Sequence, residues 1–251
     1  MHGNELTKKL LRLVIEPEMP QADKTSVFQI LINIVQDKAF SEECVKFNAA
    51  NKVFDFLKVN VKQDIGEAGA NAKLIDYKAT EEGGTTKMYE VDSNFSSPIQ
   101  CAFMFLTNLT TTENGQTHLL GEGKTKGLIL ENIFGMFQYF KTNTTFDFVA
   151  NIFANVSSLK LGRQYIVESG LFKQVLSIVQ QIDEISTQRR KHLLACIRNV
   201  TFEYEKYEKD FQQMELLETL VKLLVQEQGI AHLPPAWEHL NGICKKEKFL
   251  K

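Results

Sequence analysis

One apolar pattern built around a single asparagine occurs four times along the chain. The segments are VFQILINIV, AFMFLTNLT, VANIFANVS and LLACIRNVT, centred on Asn33, Asn108, Asn155 and Asn199. In each segment apolar residues fall three and four positions apart, which is typical of a mostly buried helix with one polar side chain. The asparagines are 75, 47 and 44 residues apart. The two shorter intervals indicate a helical repeat protein, and the first predicts an insertion of about 30 residues.

The residues after each asparagine predict two more helices per unit. Fifteen positions on stand Asn48, Gly123 and Gly170, residue types that enter the left-handed conformation required at a sharp corner. A second apolar stripe follows, so each unit is a short helix, a corner, a second helix and the asparagine-bearing third helix. This is the order of an armadillo repeat, and such units bury their apolar faces only by stacking. We predict an all-α, armadillo-like solenoid of about four units, wound as a right-handed superhelix.

The insertion between the first two asparagine segments has a different composition. From about residue 60 to 97 the chain is rich in glycine and carboxylates and has little apolar periodicity. We interpret it as a solvated, mobile loop, with a functional lid or binding loop as the less favoured alternative. Residues 1–251 are otherwise predicted to form a single armadillo-like domain.

Charge and cysteine usage narrow the possible partners and compartments. The chain has 29 basic and 31 acidic residues, so no overall field attracts it to nucleic acid or to an anionic membrane. It has no recognisable signal peptide and no apolar run near the roughly 18 residues of a membrane span. Cys44, Cys101, Cys196 and Cys244 lack the spacing of a metal or redox motif. We therefore expect a cytoplasmic protein, favoured as a monomer, with no nucleic-acid or membrane partner. The Asn-x-Ser/Thr triplets at Asn94, Asn108, Asn143, Asn155 and Asn199 are then not glycosylation sites.

No constellation of residues predicts an enzyme. The chain lacks a GxSxG elbow, a P-loop, a dinucleotide-binding glycine motif and an HExxH motif. GEGKTKG, from Gly121 to Gly127, resembles a phosphate loop only in composition, and its glycines fit a corner between helices. The five histidines, His2, His118, His192, His232 and His239, share no metal-ligand spacing. We predict no catalytic residue, no metal and no cofactor.

The asparagine row is the strongest candidate binding site. Third helices line the concave groove of an armadillo solenoid, where carboxamides can clamp the main chain of an extended polypeptide. The predicted groove residues are Asn33, Asn108, Asn151, Asn155, Asn199, Arg198, Phe202 and Glu203. The alternative, of about equal weight, is that each asparagine bonds the adjacent repeat and fixes the stacking.

A basic cluster opens the last asparagine helix. Arg189, Arg190 and Lys191 form a candidate patch for an acidic peptide or protein surface, and the alternative is a solvated helix face. Carboxylates follow from Glu203 onward and partly neutralise the cluster. Binding to RNA is disfavoured because basic and aromatic residues do not alternate along a stripe.

Three segments give the chain a resemblance to a known family. They are CAFMFLTNLTTTENGQTHLL, FVANIFANVSSLKLGRQYIVE and RRKHLLACIRNVTFE. From about Thr25 to Phe211 the chain resembles the eukaryotic Hgh proteins, also called brain-protein-sixteen-like. The matching positions in the third segment are Arg189, Arg190, Arg198, Asn199, Phe202 and Glu203. Val200 and Thr201 replace two cysteines of the family, and His192 replaces a glycine.

The resemblance implies a function that the residues alone do not. Hgh-like proteins are cytosolic co-chaperones that help translation elongation factor two to fold and link it to the cytosolic chaperonin TRiC, without nucleotide hydrolysis. The family continues past the Arg-Asn motif with a leucine-proline region and further helices. We therefore expect this chain to be either a short member or a fragment. The alternative function is a general armadillo scaffold that binds an extended peptide along its asparagine groove.

Overall fold

The structure is a computed structural model that describes residues 2–69, 73–79, 85–90, 97–140, 142–181 and 185–228. Within these ranges the chain is helical except for one hairpin, which confirms the all-α prediction for the rest. The helices are α1 (His2–Leu13), α2 (Gln21–Ile34), α3 (Lys38–Lys46), α4 (Ala49–Gly69), α5 (Ser97–Leu109), α6 (Glu113–Leu120), α7 (Leu128–Tyr139), α8 (Asp147–Val156), α9 (Lys160–Glu168), α10 (Leu171–Val179), α11 (Thr187–Val200), α12 (Tyr204–Gln213) and α13 (Leu216–Gln228).

Three of the predicted three-helix units are complete within the described residues. The four asparagines lie on α2, α5, α8 and α11, and two helices stand between each of these and the next. The predicted corner residues have left-handed backbone, with φ of 59° at Asn48, 55° at Gly123 and 78° at Gly170. Helix α1, which the repeat pattern does not predict, packs on α2, α3 and α4.

The units associate through equivalent helices. The third helices contact one another in chain order, α2 with α5, α5 with α8 and α8 with α11, and the first helices α3, α6 and α9 do the same. The first helix of a unit also crosses closely behind the preceding third helix. A Cβ atom on Gly115 would lie 1.8 Å from the carbonyl oxygen of Leu109, and one on Gly162 would lie 2.0 Å from that of Val156. Only glycine permits this approach, which explains why both stand seven residues after an asparagine.

Polar side chains mark where several helices begin. Asp37 accepts hydrogen bonds from the backbone of Ala39 and Phe40, and Thr112 accepts one from Gly115. They stand four positions after Asn33 and Asn108, where the chain leaves a third helix. Such caps satisfy backbone donors that have no partner within the helix, and so fix each corner.

Phenylalanines fill the space between the third helices and their neighbours. The ring centroids of Phe134 and Phe153 are 4.8 Å apart, joining α7 to α8, and those of Phe103 and Phe146 are 5.3 Å apart. Burying one such side chain contributes about 1.5–3 kcal/mol to stability. The core is therefore continuous along the stacked units.

The prediction of a loop from residue 60 to 97 needs correction. Helix α4 continues to Gly69, and two strands follow, β1 (Lys73–Ala79) and β2 (Thr85–Glu90). They pair antiparallel, with Lys73 opposite Glu90 and Ala79 opposite Thr85, and the register shifts between Leu74 and Asp76. Backbone hydrogen bonding between strands does not require the apolar periodicity on which the prediction depended. Residues 70–72, 80–84 and 91–96 of the predicted loop, which include Asn94, lie outside the described residues.

Candidate functional site

Three asparagine side chains connect the third helices in a regular series, here called the asparagine ladder. The Nδ2 atom of Asn108 donates to the carbonyl of Ile32 at 3.1 Å. That of Asn155 donates to Thr107 at 3.1 Å, and that of Asn199 donates to Ala154 at 3.2 Å. In every case the acceptor is the residue immediately before the asparagine of the preceding unit. The same register is therefore repeated at all three junctions.

A hydroxyl group completes two of the three junctions. Asn155 Nδ2 also donates to Thr110 Oγ1, and Asn199 Nδ2 donates to Ser157 Oγ, each at 3.1 Å. Thr110 and Ser157 stand two residues after an asparagine, and Val35 occupies that position in the first unit. Two of the Asn-x-Ser/Thr triplets thus supply a ladder asparagine together with an acceptor for the asparagine of the next unit.

The ladder bears directly on the two predicted roles of the asparagines. The amide nitrogens of Asn108, Asn155 and Asn199 are used in stacking, so a bound peptide would have to compete for them. Asn33 is exposed, and Asn108 and Asn155 are partly buried. Asn199 is 9% exposed. Among the described residues, stacking accounts for the ladder amides, and peptide capture by the row stays a prediction.

Asn151, also predicted to line the groove, lies one turn before Asn155 on α8. Its side chain is partly buried, and its Oδ1 atom has no hydrogen-bond partner within the described ranges.

Arg189, predicted to belong to a surface basic patch, lies in the interior. It is 1% exposed, its Nε donates to Asp147 Oδ1 at 2.5 Å, and its guanidinium lies 4.5 Å from the ring centroid of Phe137. Its Nη2 donates to the carbonyls of Phe140 at 3.0 Å and Asn143 at 2.6 Å. The prediction that Arg189 is exposed is wrong. The backbone carbonyls of Phe140 and Asn143, in the connection between α7 and α8, need a hydrogen-bond donor, and the guanidinium of Arg189 supplies it from the interior.

Asp147 and Ser186 form a hydrogen-bond network with Arg189. Ser186 Oγ donates to Asp147 Oδ2 at 2.8 Å and accepts from the backbone N–H of Arg189 at 3.1 Å. Burial lowers the pKa of Arg189, and the hydrogen bond and charge of Asp147 oppose that shift. The network therefore joins the start of α8 to the start of α11 through a paired, buried charge.

Glu203, predicted to face the groove, is also bound inside the protein. Arg163 Nη2 lies 2.8 Å from Glu203 Oε1, and Gln164 Nε2 donates to Oε2 at 3.4 Å. Burial by itself would raise the pKa of Glu203, but hydrogen bonds from Arg163 and Gln164 outweigh it and leave that pKa below its ordinary value. The prediction is corrected because Arg163, one unit earlier, satisfies this carboxylate.

The remaining predicted residues reach the surface. Lys191, Arg198 and Phe202 are exposed, and Phe202, 72% exposed, has the most exposed large apolar side chain in the described ranges. Arg190 is partly buried. Lys191 is thus the exposed member of the predicted basic patch, and Arg198, predicted to line the groove, is a second exposed cation near the C-terminal end of α11.

Three of the cysteines and His118 lie within the packed part of the chain. Cys44, Cys101 and Cys196 are buried, and burial raises the pKa of Cys44 and of Cys196 to about 12, which keeps both thiols protonated. His118 Nε2 accepts from the backbone N–H of Ala50 at 3.2 Å, and burial lowers its pKa. Cys244, His232 and His239 lie outside the described residues.

The described ranges contain no group of three metal-ligating side chains that could hold an ion. No helix within them is both long and apolar enough to cross a membrane.

A known protein family matches the part of the chain that contains the asparagine ladder and the two buried ion pairs. A family model described as a domain of unknown function, DUF383, matches residues 92–232. The chain belongs to the DUF383 family. The DUF383 match includes Asn108, Asn155 and Asn199, together with the Arg189 and Glu203 ion pairs, and leaves out α1 to α4. No curated protein and no solved structure matches the chain.

Four residues of the DUF383 region are structurally central but are not among the predicted site residues. Thr110 and Ser157 accept ladder bonds, Asp147 pairs with Arg189, and Arg163 pairs with Glu203. The recurrence of Asn-x-Ser/Thr was a signal for the two hydroxyls. The ion pairs join residues 40 and 42 positions apart and left no local pattern.

Proposed function

We propose that the chain is a non-enzymatic, armadillo-like scaffold that binds other proteins. The observation that carries this proposal is the asparagine ladder, which holds successive third helices in one repeated register. Three-helix units stacked in this way form an elongated surface with one edge of each third helix exposed. The residues three positions after the asparagines lie in the turns that follow the third helices, and all are exposed: Gln36, Thr111, Ser158 and Phe202.

The partner we propose follows from the resemblance to the Hgh proteins. The segment RRKHLLACIRNVTFE supports a cytoplasmic folding co-chaperone that binds translation elongation factor two and links it to the chaperonin TRiC. Within that segment Arg189, Asn199 and Glu203 form internal bonds, so their occurrence is explained by the fold. Arg198 and Phe202 are the exposed members that a client can contact.

Affinity capture from a native eukaryotic lysate tests this proposal. The tagged full chain is expected to recover elongation factor two and chaperonin subunits. The matched variant is the chain with Arg198→Glu and Phe202→Ser, which changes only exposed side chains and is expected to recover less of both. Reproducible absence of both proteins from the wild-type capture would exclude the co-chaperone role.

The second candidate is a general scaffold for an extended peptide. It is favoured by the neutral polar row Gln36, Thr111 and Ser158, which lies exposed in the turns after the third helices. Peptide binding along this row should weaken when Thr111 and Ser158 are replaced by bulky charged residues, while the unfolding transition is unchanged. Loss of peptide binding only in variants that also unfold would instead assign the row a structural role.

A further inference from the structure

The exposed face of α11 differs from those of the other third helices. Eight residues before the repeated asparagines Asn33, Asn108, Asn155 and Asn199 stand Thr25, Gln100, Asp147 and Lys191. One residue before them stand Ile32, Thr107, Ala154 and Arg198. Three residues after them stand Gln36, Thr111, Ser158 and Phe202. Cations and an aromatic residue therefore occupy these positions only on α11 and the turn that follows it.

Helix geometry places these residues on one stripe. Lys191 and Arg198 are seven residues apart, which is close to two full turns, and Phe202 follows Arg198 by four. Val200 and Thr201 have helical backbone angles, so the turn from Thr201 to Glu203 continues the direction of α11. Ala195 lies between the two cations and is partly buried. Lys191, Ala195, Arg198 and Phe202 are called here the α11 stripe.

The charges on the α11 stripe are available for a ligand. Neither Lys191 nor Arg198 forms an ion pair with a carboxylate in the described ranges, and Arg198 makes one long bond, 3.5 Å from Nη2 to Asn199 Oδ1. Two carboxylates packed near α11, Asp147 and Glu203, are bound to Arg189 and Arg163. The first exposed carboxylate that follows α11 in the chain is Glu205, on α12.

The carbonyl of Arg198 and the hydroxyl of Thr201, which lie beside the stripe, repeat the pair of acceptors that binds a ladder asparagine in the preceding units. Thr201 Oγ1 donates to the carbonyl of Arg198 at 2.7 Å, as Thr110 Oγ1 does to Thr107 at 2.9 Å. At Thr107 and Thr110 this carbonyl and hydroxyl receive the amide of the next ladder asparagine. At Arg198 and Thr201 no described residue supplies such a donor. A main-chain N–H of a ligand can fill this position.

We propose that the α11 stripe is a docking site for a short, acidic, extended segment of a partner protein with one apolar anchor residue. This proposal rests on the scaffold function and names the chemistry of its partner. Lys191 and Arg198 are about 10 Å apart along the helix, and Arg198 and Phe202 about 6 Å. An extended chain covers these distances in about three and two residues. The spacing that fits is two carboxylates three positions apart, with an apolar residue two positions further on.

Immobilised peptides test the stripe directly. One carries Glu-Ser-Ser-Glu-Ser-Leu between Gly-Ser flanks, a second has both Glu replaced by Gln, and a third has Leu replaced by Ser. The full chain in solution is expected to bind the first most tightly, and added salt should weaken that binding. Lys191→Glu combined with Arg198→Glu should weaken it about tenfold, since two attractive charges become repulsive. Phe202→Ser should also weaken binding of the first peptide about tenfold, because it removes the side chain against which the apolar anchor packs.

Matched substitutions elsewhere serve as controls. Lys173→Glu and Leu128→Ser change exposed residues of the same types on α10 and α7, and should leave peptide binding unchanged. Equal binding of the Glu and Gln peptides, or equal loss in the control variants, would overturn the proposal. So would retention of a single-stranded RNA in place of the acidic peptide.

Two other occupants of the stripe are distinguishable in the same variants. Trp237 is the single tryptophan, and it follows the described residues. A change in its emission in the Lys191→Glu, Arg198→Glu chain without peptide would show that residues 229–251 cover the stripe, and would overturn the proposal. A molar mass that falls with dilution in the wild type but is monomeric in this variant would assign the stripe to a second copy, with the same consequence.

Failure of the inference can be separated from failure of the proposed function. If the acidic peptide does not bind but elongation factor two and chaperonin are captured, the stripe proposal fails and the co-chaperone proposal stands. If the peptide binds in the predicted order and neither protein is captured, the stripe stands and the co-chaperone proposal fails.

Discussion

The junction between α2 and α5 and the junction between α8 and α11 use the same motif to different extents. Both have an asparagine that donates to the carbonyl one residue before the preceding asparagine. At the first, Val35 offers no hydroxyl, and the carbonyl of Ile32 is the one acceptor for Asn108 Nδ2 among the described residues. At the second, Asn199 Nδ2 donates to both Ala154 and Ser157. The Arg189–Asp147 pair also joins α8 to α11, and the Arg163–Glu203 pair joins α9 to the turn after α11.

This difference shows that one repeated motif can mark junctions of unequal strength. Each additional hydrogen bond contributes about 0.5–1.5 kcal/mol, and removing one partner of a buried charge costs more than the bond itself. The junction of α8 with α11 lies within the DUF383 match, whereas α2 lies outside it. We expect the chain to be most sensitive to substitution at the α8–α11 junction.

The largest expected effect is that of removing the buried cation. Arg189→Met should reduce the free energy of unfolding by about 3–5 kcal/mol, because Asp147 and two backbone carbonyls would remain without their donor. Urea unfolding followed by circular dichroism measures this loss. Lys191→Met, two residues away and exposed, should change stability by no more than about 0.5 kcal/mol. A loss for Arg189→Met as small as that of this control would mean that the network does not stabilise the junction.

Alanine substitutions compare the stability that each asparagine contributes. Asn155→Ala and Asn199→Ala should each cost about 1–3 kcal/mol, since each leaves a carbonyl and a hydroxyl without a donor. Asn33→Ala, at an exposed position, should lie within about 0.5 kcal/mol of the wild type. Equal costs at Asn33 and Asn199 would contradict the stacking role.

A double-mutant cycle sharpens the comparison between junctions. Thr110→Val makes the α5–α8 junction resemble the first, in which Val35 stands at this position. Its cost should be smaller in the Asn155→Ala background than in the wild type, because the bond between Thr110 and Asn155 is already lost. Additive costs would show that Thr110 acts through its own helix alone.

The smallest expected effect is the pH dependence of the Glu203 pair. The pKa of Glu203 is lowered in the folded chain, so its contribution is present above the unfolded pKa of about 4.3 and is lost as pH falls through the folded value. Glu203→Gln should therefore cost about 1 kcal/mol at neutral pH. It should also flatten the loss of stability on acidification. The exposed Glu205→Gln is the control, and an unchanged acid limb in Glu203→Gln would be evidence against the pair.

Much of the fold could be predicted because it is encoded locally. The spacing of apolar residues around each asparagine predicts a third helix, and Asn48, Gly123 and Gly170 predict the corners through their backbone preferences. The hairpin of β1 and β2 was not predicted, since strand pairing without an apolar face leaves no periodic signal. The armadillo-like superhelix remains a proposal.

The sequence by itself determined which residues repeat, and therefore the helices, the corners and the position of each asparagine. Only the tertiary structure decided what those asparagines bond, because their acceptors lie 42 to 76 residues earlier in the chain. The tertiary structure also decided that Arg189 is buried against Asp147 while Lys191, two residues away, is exposed. The physical reason is that burial of a charge depends on a partner supplied by another unit. No pattern within one helix reveals that partner.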